Sequence, residues 1–143
     1  KREVKKYINR TNEGISSLAL GIYDIYEVEE SDRETLVRIV GDLWINQAAS
    51  SNAIMNLMIL LCRDGATNVS YGGTVNDIQG RDAEEVLWAG GTFQNQDAVT
   101  DWFIDVRGMR KLRKGDKIRL SWGSDLTISG NIGCVFSVFL KKA

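Results

Sequence analysis

Histidine and proline are both absent from this 143-residue chain. Without histidine the protein lacks the side chain that most often shuttles protons at neutral pH, and also the commonest metal ligand. Serine–histidine and cysteine–histidine nucleophile pairs and histidine-based zinc sites are therefore excluded. Without proline, every turn must be built from Gly, Asn, Asp and Ser, and the 14 glycines are numerous enough to build them.

Cysteines and long apolar runs are also scarce. The two cysteines, Cys62 and Cys134, lie inside apolar runs, where a free thiol behaves as a small hydrophobic group, so we expect both to be reduced. The longest apolar run, residues 54–62, is well short of the roughly 18 to 20 residues that a membrane-spanning helix needs. We therefore expect no membrane partner.

The motifs of common catalytic and cofactor sites are missing. There is no GxxxxGK[ST] phosphate loop, no GxSxG nucleophile motif and no CxxC pair. Carboxylates occur at Glu85, Asp101 and Asp105, and paired carboxylates can hydrolyse glycosides or bind calcium. Because their spacing forms no known loop and acidic residues are common on surfaces, we predict a protein that is not an enzyme and has no cofactor or metal.

Alternating apolar and polar residues are the main sign of secondary structure. This period of two is typical of half-buried β-strands, and a less regular version covers residues 16–28. Residues 55–63 are apolar on both faces, which favours a buried strand. The clearest alternating segments are residues 35–46, 101–106, 117–122 and 133–141.

Between residues 66 and 96 the period is lost and Gly, Asn, Asp and Gln are frequent. We predict a long loop there, with one helical turn over residues 81–86. Because no amphipathic helices separate the strands, the chain is predicted to be a single all-β domain, an antiparallel β-sandwich. The length and the 43% content of hydrophobic residues fit one such domain.

Charged residues form two opposed stretches. Six of the eleven residues 107–117 are basic, and six of the eleven residues 24–34 are acidic, so the net charge of −1 conceals two patches. The basic stretch is either a phosphate or acidic-partner contact or a solvated connection between strands. If the two patches met across a subunit interface, they would fix its register and the choice of partner; two unrelated solvated surfaces are the alternative.

The four tryptophans and the chain ends are further candidates for binding. Tryptophans can line a sugar-binding face, although in a sandwich they more often pack in the core or anchor an interface. The basic residues near both ends could contact nucleic acid through nonspecific, salt-sensitive phosphate neutralisation. The sequence pI near 5.5 restricts such a role to an arm. The tryptophans are Trp44, Trp88, Trp102 and Trp122.

Two stretches carry a resemblance to a known family. They are Thr35-Leu-Val-Arg-Ile-Val-Gly-Asp-Leu and Asp101-Trp-Phe-Ile-Asp-Val-Arg-Gly-Met-Arg-Lys-Leu-Arg-Lys-Gly-Asp-Lys-Ile, together about a fifth of the chain. They resemble the capsid proteins of small circular Rep-encoding single-stranded DNA viruses. In that family a strand similar to L-V-R-x-x-G begins the sandwich, and a later strand runs into an R-K-L-x-x-G-D turn.

The resemblance implies an eight-stranded single jelly roll, many copies of which assemble into an icosahedral shell around the genome in the virion. It also implies an arginine-rich N-terminal arm facing the interior, of which this chain has only a short basic part. We therefore expect a basic arm over residues 1–15 and a jelly-roll domain over residues 16–143. The expected partners are further copies of the chain and nonspecific interior nucleic acid; a carbohydrate-binding β-sandwich module is the alternative function, and a hydrolase using Glu85, Asp101 or Asp105 the third.

Two sets of candidate site residues follow from this reading. The expected nucleic-acid-binding residues are Lys1, Arg2, Lys5, Lys6, Lys141 and Lys142. The expected subunit-interface residues are Arg107, Arg110, Lys111, Arg113, Lys114, Glu29, Glu30, Asp32, Trp88 and Trp102.

Overall fold

The computed structural model describes residues 4–16, 21–29, 33–47, 54–64, 70–71, 78–79, 83–93, 98–124 and 129–142. These residues form ten β-strands: β1 (Val4–Ser16), β2 (Gly21–Glu27), β3 (Glu34–Gln47), β4 (Ile54–Cys62), β5 (Ser70–Tyr71), β6 (Ile78–Gln79), β7 (Ala83–Phe93), β8 (Ala98–Leu112), β9 (Lys117–Ser124) and β10 (Ser129–Lys142). No helix long and apolar enough to cross a membrane is found in these ranges.

The strands form two four-stranded antiparallel sheets and one short pair. The first sheet has the order β1-β10-β3-β8, the second sheet has the order β2-β9-β4-β7, and β5 pairs with β6. This interleaved order, in which the chain passes repeatedly from one sheet to the other, is that of a jelly roll. The predicted all-β antiparallel sandwich is therefore confirmed. The described residues hold ten strands rather than the predicted eight, because β5 and β6 lie in the predicted loop.

The core lies between the two sheets and follows from the alternation in the sequence. Alternate residues of the central strands point inward, so that Ile39 and Leu43 of β3 meet Ile59 of β4 and Leu120 of β9 in one buried cluster. Phe136 of β10 is the largest of the completely buried side chains. Strands predicted from their period of two are therefore confirmed in β3, β8, β9 and β10.

Both cysteines are free and buried, in agreement with the prediction of reduced thiols. Cys62 ends β4, and burial raises the pKa of its thiol above the ordinary value. A buried, protonated thiol is a poor nucleophile, so these cysteines contribute packing rather than reactivity.

The loop predicted over residues 66–96 is wrong for its last third, because Ala83–Phe93 forms β7. The helical turn predicted over 81–86 is wrong from residue 83 onwards, while residues 81–82 lie outside the described ranges. Two register shifts between β4 and β7 break the alternation that would have revealed this strand. Long-range pairing with β4 holds it in place despite its Gly90-Gly91 pair.

The segment predicted as an N-terminal arm is also organised differently. Val4–Ser16 forms β1 and pairs with β10 along its whole length, so residues 4–15 belong to the first sheet. An edge strand has only one neighbouring strand, so its sequence needs less apolar patterning than a central strand. Lys1 and Arg2 lie outside the described residues.

Candidate functional site

The basic stretch of residues 107–117 is divided between a strand and a turn. Strand β8 continues through Arg107 and Arg110 to Leu112, and a short turn then leads into β9. At Gly108 the backbone φ is 142°, at a register shift between β8 and β3. The stretch is therefore not one solvated connection, and its side chains have different environments.

Asp116, the last residue of this turn, is a buried carboxylate with three hydrogen-bond donors. It is only 3% exposed. Its carboxylate accepts a hydrogen bond from Arg63 Nη1 at 2.7 Å, from the backbone N–H of Arg113 at 2.9 Å and from the backbone N–H of Asp64 at 3.1 Å. A buried carboxylate with this many donors fixes the chain around it. It ties the turn before β9 to the end of β4.

The same turn is joined to the end of β2. The backbone N–H of Gly115 donates to the carbonyl of Val28 at 2.8 Å, and the N–H of Val28 donates to the carbonyl of Asp116 at 3.0 Å. Gly115 has a φ of 90°, and a Cβ at this position would collide with the Asp64 side chain. Three connections therefore meet in one rigid junction at this end of the sandwich.

Two open clefts flank this junction. The larger, of about 590 Å³, is lined by both charge signs, and its basic residues Lys111, Arg113 and Lys114 have no ion-pair partner among the described residues. The smaller, of about 420 Å³, places Glu29 and Lys114 on the same wall. The lining of the larger cleft is Arg63, Asp64, Lys111, Arg113, Lys114 and Asp116.

The acidic and basic stretches also meet directly within one chain. Arg119, which is 3% exposed, donates from Nε to Asp24 Oδ1 at 2.7 Å. Lys117 Nζ lies 3.9 Å from Asp24 Oδ2 and 3.7 Å from Glu27 Oε1. Part of the charge complementarity expected between subunits is therefore satisfied inside the subunit, and Glu29 remains exposed beside it.

A second polar cluster lies on the outer face of the first sheet. Arg38 of β3 binds Asp105 of β8 with two hydrogen bonds of 2.9 Å. Arg107 Nη2 approaches the same carboxylate at 3.1 Å, but its side chain is 71% exposed. The hydrogen bonds from Arg38, and to a smaller extent those from Arg107, hold the pKa of Asp105 well below its ordinary value. The Arg38 guanidinium also lies 6.0 Å from the centre of the Phe139 ring.

Arg110 faces the other sheet and binds Glu85 of β7. Its Nε donates to Glu85 Oε1 at 3.1 Å, and its Nη2 makes a further ion pair with Oε2. These hydrogen bonds lower the pKa of Glu85 and raise that of Arg110. A general acid must hold a proton near the working pH, so neither Glu85 nor Asp105 is suited to that role.

The two tryptophans predicted at an interface pack against each other. The rings of Trp88 on β7 and Trp102 on β8 are 6.0 Å apart in an edge-to-face arrangement, and both contact the core. Gly90 leaves the space that the Trp88 ring occupies. Trp44 is half-buried over Gly133, and Trp122 is 6% exposed. None of the four stands free on the surface.

Four of the six predicted nucleic-acid-binding residues lie on adjacent strands at one end of the first sheet. Lys5 of β1 is paired with Leu140 of β10, and Lys141 with Val4 of β1 and Thr35 of β3. Lys6 and Lys142 are the next residues along β1 and β10. Antiparallel pairing therefore makes neighbours of basic residues that are far apart in the sequence.

Two of the predicted interface residues lie outside the described residues, and two arginines that bind buried or fixed carboxylates were not predicted. Glu30 and Asp32 lie outside the described ranges. Arg38 and Arg63 gave no sequence signal, because each binds a carboxylate 67 or 53 residues away. In the part of the chain that is described, no three His, Cys, Asp or Glu side chains converge on a metal-sized site.

Comparison with known proteins gives structural similarities only. No protein-family model and no curated protein matches the chain. A decameric BFDV capsid protein has 8% identity and a TM-score of 0.41, with 100% of this chain and 99% of that chain covered. The VP2 subviral particle of infectious bursal disease virus has 6% identity, a TM-score of 0.39 and coverage of 99% and 37%.

The structure of the Gx strain of infectious bursal disease virus has 9% identity and a TM-score of 0.31, with 99% of this chain and 36% of that chain covered. The chain therefore spans little more than a third of the length of the two bursal disease virus chains. All three TM-scores are low, and the fold assignment rests on the strand order of this chain.

Proposed function

We propose that this chain is the structural subunit of a viral capsid, and that its copies self-assemble into an icosahedral shell around the genome in the virion. The observation that carries the proposal is the jelly-roll order of the two four-stranded sheets. Viral capsid subunits and lectins are frequent users of this fold. Because one fold serves several functions, the surfaces must distinguish between them.

The two stretches that resemble capsid proteins are neighbours in space. Residues 35–43 lie in β3, and residues 101–118 cover most of β8, the turn and the start of β9. β3 and β8 are hydrogen-bonded partners, with Thr35 opposite Lys111 and Leu43 opposite Trp102. Most of the resemblance therefore concerns one pair of adjacent strands in the first sheet, rather than two unrelated segments.

The environment of the tryptophans does not favour the carbohydrate-binding alternative. A sugar-binding module needs an aromatic ring exposed in a groove for stacking on the sugar. Trp88 and Trp102 instead cover each other, Trp44 lies over Gly133, and Trp122 is buried in the core. A shell subunit has no such requirement.

Nonspecific contact with interior nucleic acid is part of the proposal. The register of β1, β10 and β3 brings Lys5, Lys6, Lys141 and Lys142 to one end of the first sheet. Concentrated basic residues bind phosphates without regard to base sequence. This end of the sheet is the surface that we assign to the genome, and Lys1 and Arg2, which lie outside the described residues, remain part of the proposed set.

The proposal is tested by the mass of the purified protein in solution. Light scattering at low and high salt, with negative-stain microscopy of the large fractions, should show closed particles of uniform size. A monomer at every salt and protein concentration would contradict the proposal, and binding in a glycan screen would then support the alternative.

The genome-facing surface is tested separately. Replacing Lys141 and Lys142 by Glu should lower the nucleic acid that copurifies with the particles, measured as the ratio of absorbance at 260 and 280 nm, while particles still form. The double variant Arg113→Glu/Lys114→Glu, at two exposed residues in the turn before β9, is the control of equal charge change. Equal loss of nucleic acid in both variants would contradict the assignment.

A further inference from the structure

Strand β8 presents a column of exposed side chains on the outer face of the first sheet. Phe103 is 68% exposed and Met109 is 60% exposed, although both are large and apolar. The inward positions of the same strand, such as Ile104 and Leu112, are buried. The exposed column consists of Asp101, Phe103, Asp105, Arg107, Met109 and Lys111.

This strand also has a free side. In the strand order of the first sheet, β8 is at the end and pairs only with β3 among the strands that the structure describes. Its 15 residues make a long edge, and long edges are templates for pairing with another chain. The bulge at Gly108 interrupts a regular backbone ladder, so side-chain contacts must carry an interface here.

The order of the column is self-complementary about Val106. In a twofold contact between two antiparallel copies, each residue meets its partner and the reverse contact also forms. With the axis at Val106, Asp105 faces Arg107, Phe103 faces Met109, and Asp101 faces Lys111 of the second copy. Apolar residues then meet apolar residues, and every charge meets its opposite.

Other positions of the axis do not produce this match. Moving it to Asp105 sets this carboxylate against itself and Phe103 against Arg107. Moving it to Arg107 sets two guanidinium groups against each other and Asp105 against Met109. Like charges directly opposite one another destabilise paired strands, so the axis at Val106 is favoured over these two.

The charged centre of this column is held in place before any contact forms. Arg38 fixes the Asp105 carboxylate through two hydrogen bonds of 2.9 Å. Arg107 is 71% exposed and lies farther away, at 3.1 to 3.3 Å, so it can reach a second carboxylate. A fixed acceptor reduces the entropy lost on binding, and sulfur contacts with an aromatic ring stabilise the Phe103–Met109 pair.

We infer that β8 forms a twofold contact with β8 of a second copy, in which Asp105 binds Arg107 of the partner and Phe103 packs against Met109 of the partner. The choice of a second copy as the partner rests on the proposed capsid function. The β8 contact would then be one of the subunit contacts from which the shell is built.

The test is a charge exchange between two variants. Asp105→Arg and Arg107→Asp each place like charges opposite one another in a homodimer, and each should weaken self-association about tenfold or more by sedimentation velocity. Mixed in equal amounts, they restore two opposite-charge pairs and should associate within about threefold of the wild type. Arg33→Asp, an exposed residue outside β8, is the control and should leave association unchanged.

A second pair of variants leaves the ion pairs within the folded subunit unchanged. Phe103→Glu and Met109→Lys alter only exposed side chains, and their mixture forms one Glu–Lys and one Phe–Met pair. Ile22→Glu, on a 48% exposed side chain of β2, is the matched control. Thermal unfolding of each variant shows whether it is folded.

The outcomes separate this inference from the proposed function. The β8 contact is overturned if the wild type and all single variants form particles equally well. It is also overturned if the mixtures self-associate no more strongly than the single variants. Either outcome leaves the proposed capsid function standing. Twofold association with recovery in the mixtures, but without particles, supports the contact and counts against the shell. A wild type that never self-associates overturns both.

Discussion

The outer faces of the two sheets differ in what covers them. On the second sheet the central outward residues Met58, Leu60, Arg119 and Ser121 are at most 3% exposed, and the short strand β5 lies beside β9. On the first sheet the outward side chains of β8 are exposed, with Phe103 at 68%.

This difference distinguishes a surface that stabilises the subunit from a surface that can bind another molecule. A strand covered on both faces must be apolar on both, which is why residues 57–62 of β4 are all apolar. A strand open on one face alternates and can carry charges for another molecule. The covered centre of the second sheet therefore stabilises the subunit, and the exposed outward side chains of β8 are available to partners.

The largest expected effect comes from placing a charged side chain on the outer face of each sheet in turn. Met58→Asp, at a site that is 1% exposed and opposite the neutral Ser121, buries a carboxylate with no cation directly across the strand and should lower the free energy of unfolding by more than about 4 kcal/mol, or prevent folding. Phe103→Asp, at a 68% exposed site, should change it by no more than about 0.5 kcal/mol. Urea unfolding measures both, and equal losses would contradict the difference between the faces.

The next largest effect is expected at the junction that joins both sheets. Asp116→Ala removes the carboxylate that accepts three hydrogen bonds and leaves Arg63 without this partner. We expect a loss of about 3 kcal/mol in the free energy of unfolding. Lys114→Ala, two residues earlier on an exposed side chain, is the control and should have little effect.

One Asp–Arg ion pair on each sheet allows the two outer faces to be compared directly. Asp24→Ala removes the partner of Arg119, which is 3% exposed, and should cost about 1 to 3 kcal/mol. Asp105→Ala removes the partner of Arg38 on the open face, where solvent screens the charges, and should cost less in stability. If the β8 contact exists, only the second variant should weaken self-association. Unfolding and sedimentation on the same samples decide this.

The smallest effect is expected from acid. The pKa of Glu85 is lowered from its ordinary 4.5, so the unfolded chain binds this proton more readily than the folded chain. Its stabilising contribution is complete above about pH 4.5 and is lost as the pH falls through the lower folded value. The pair is partly exposed, so the loss is about 1 kcal/mol or less. Unfolding of the wild type should therefore depend more steeply on pH between 3 and 5 than that of Glu85→Gln.

The predictions from sequence were most successful where one local pattern sufficed. Alternation located β9 and β10, and the two-sided apolar run located β4. β7 was predicted as a loop because two register shifts and Gly90-Gly91 disturb its pattern. β1 was predicted as an arm because an edge strand needs only one partner.

The candidate sites divide in the same way. The sequence alone determined an all-β chain without histidine chemistry, with buried thiols and with charge concentrated near residues 107–117. Only the tertiary structure decided that Asp116 joins three connections, that Arg38 holds Asp105, and that one outer face is covered while the other is open. The physical reason is distance along the chain: burial and alternation depend on neighbouring residues, whereas these contacts join residues separated by more than 50 positions.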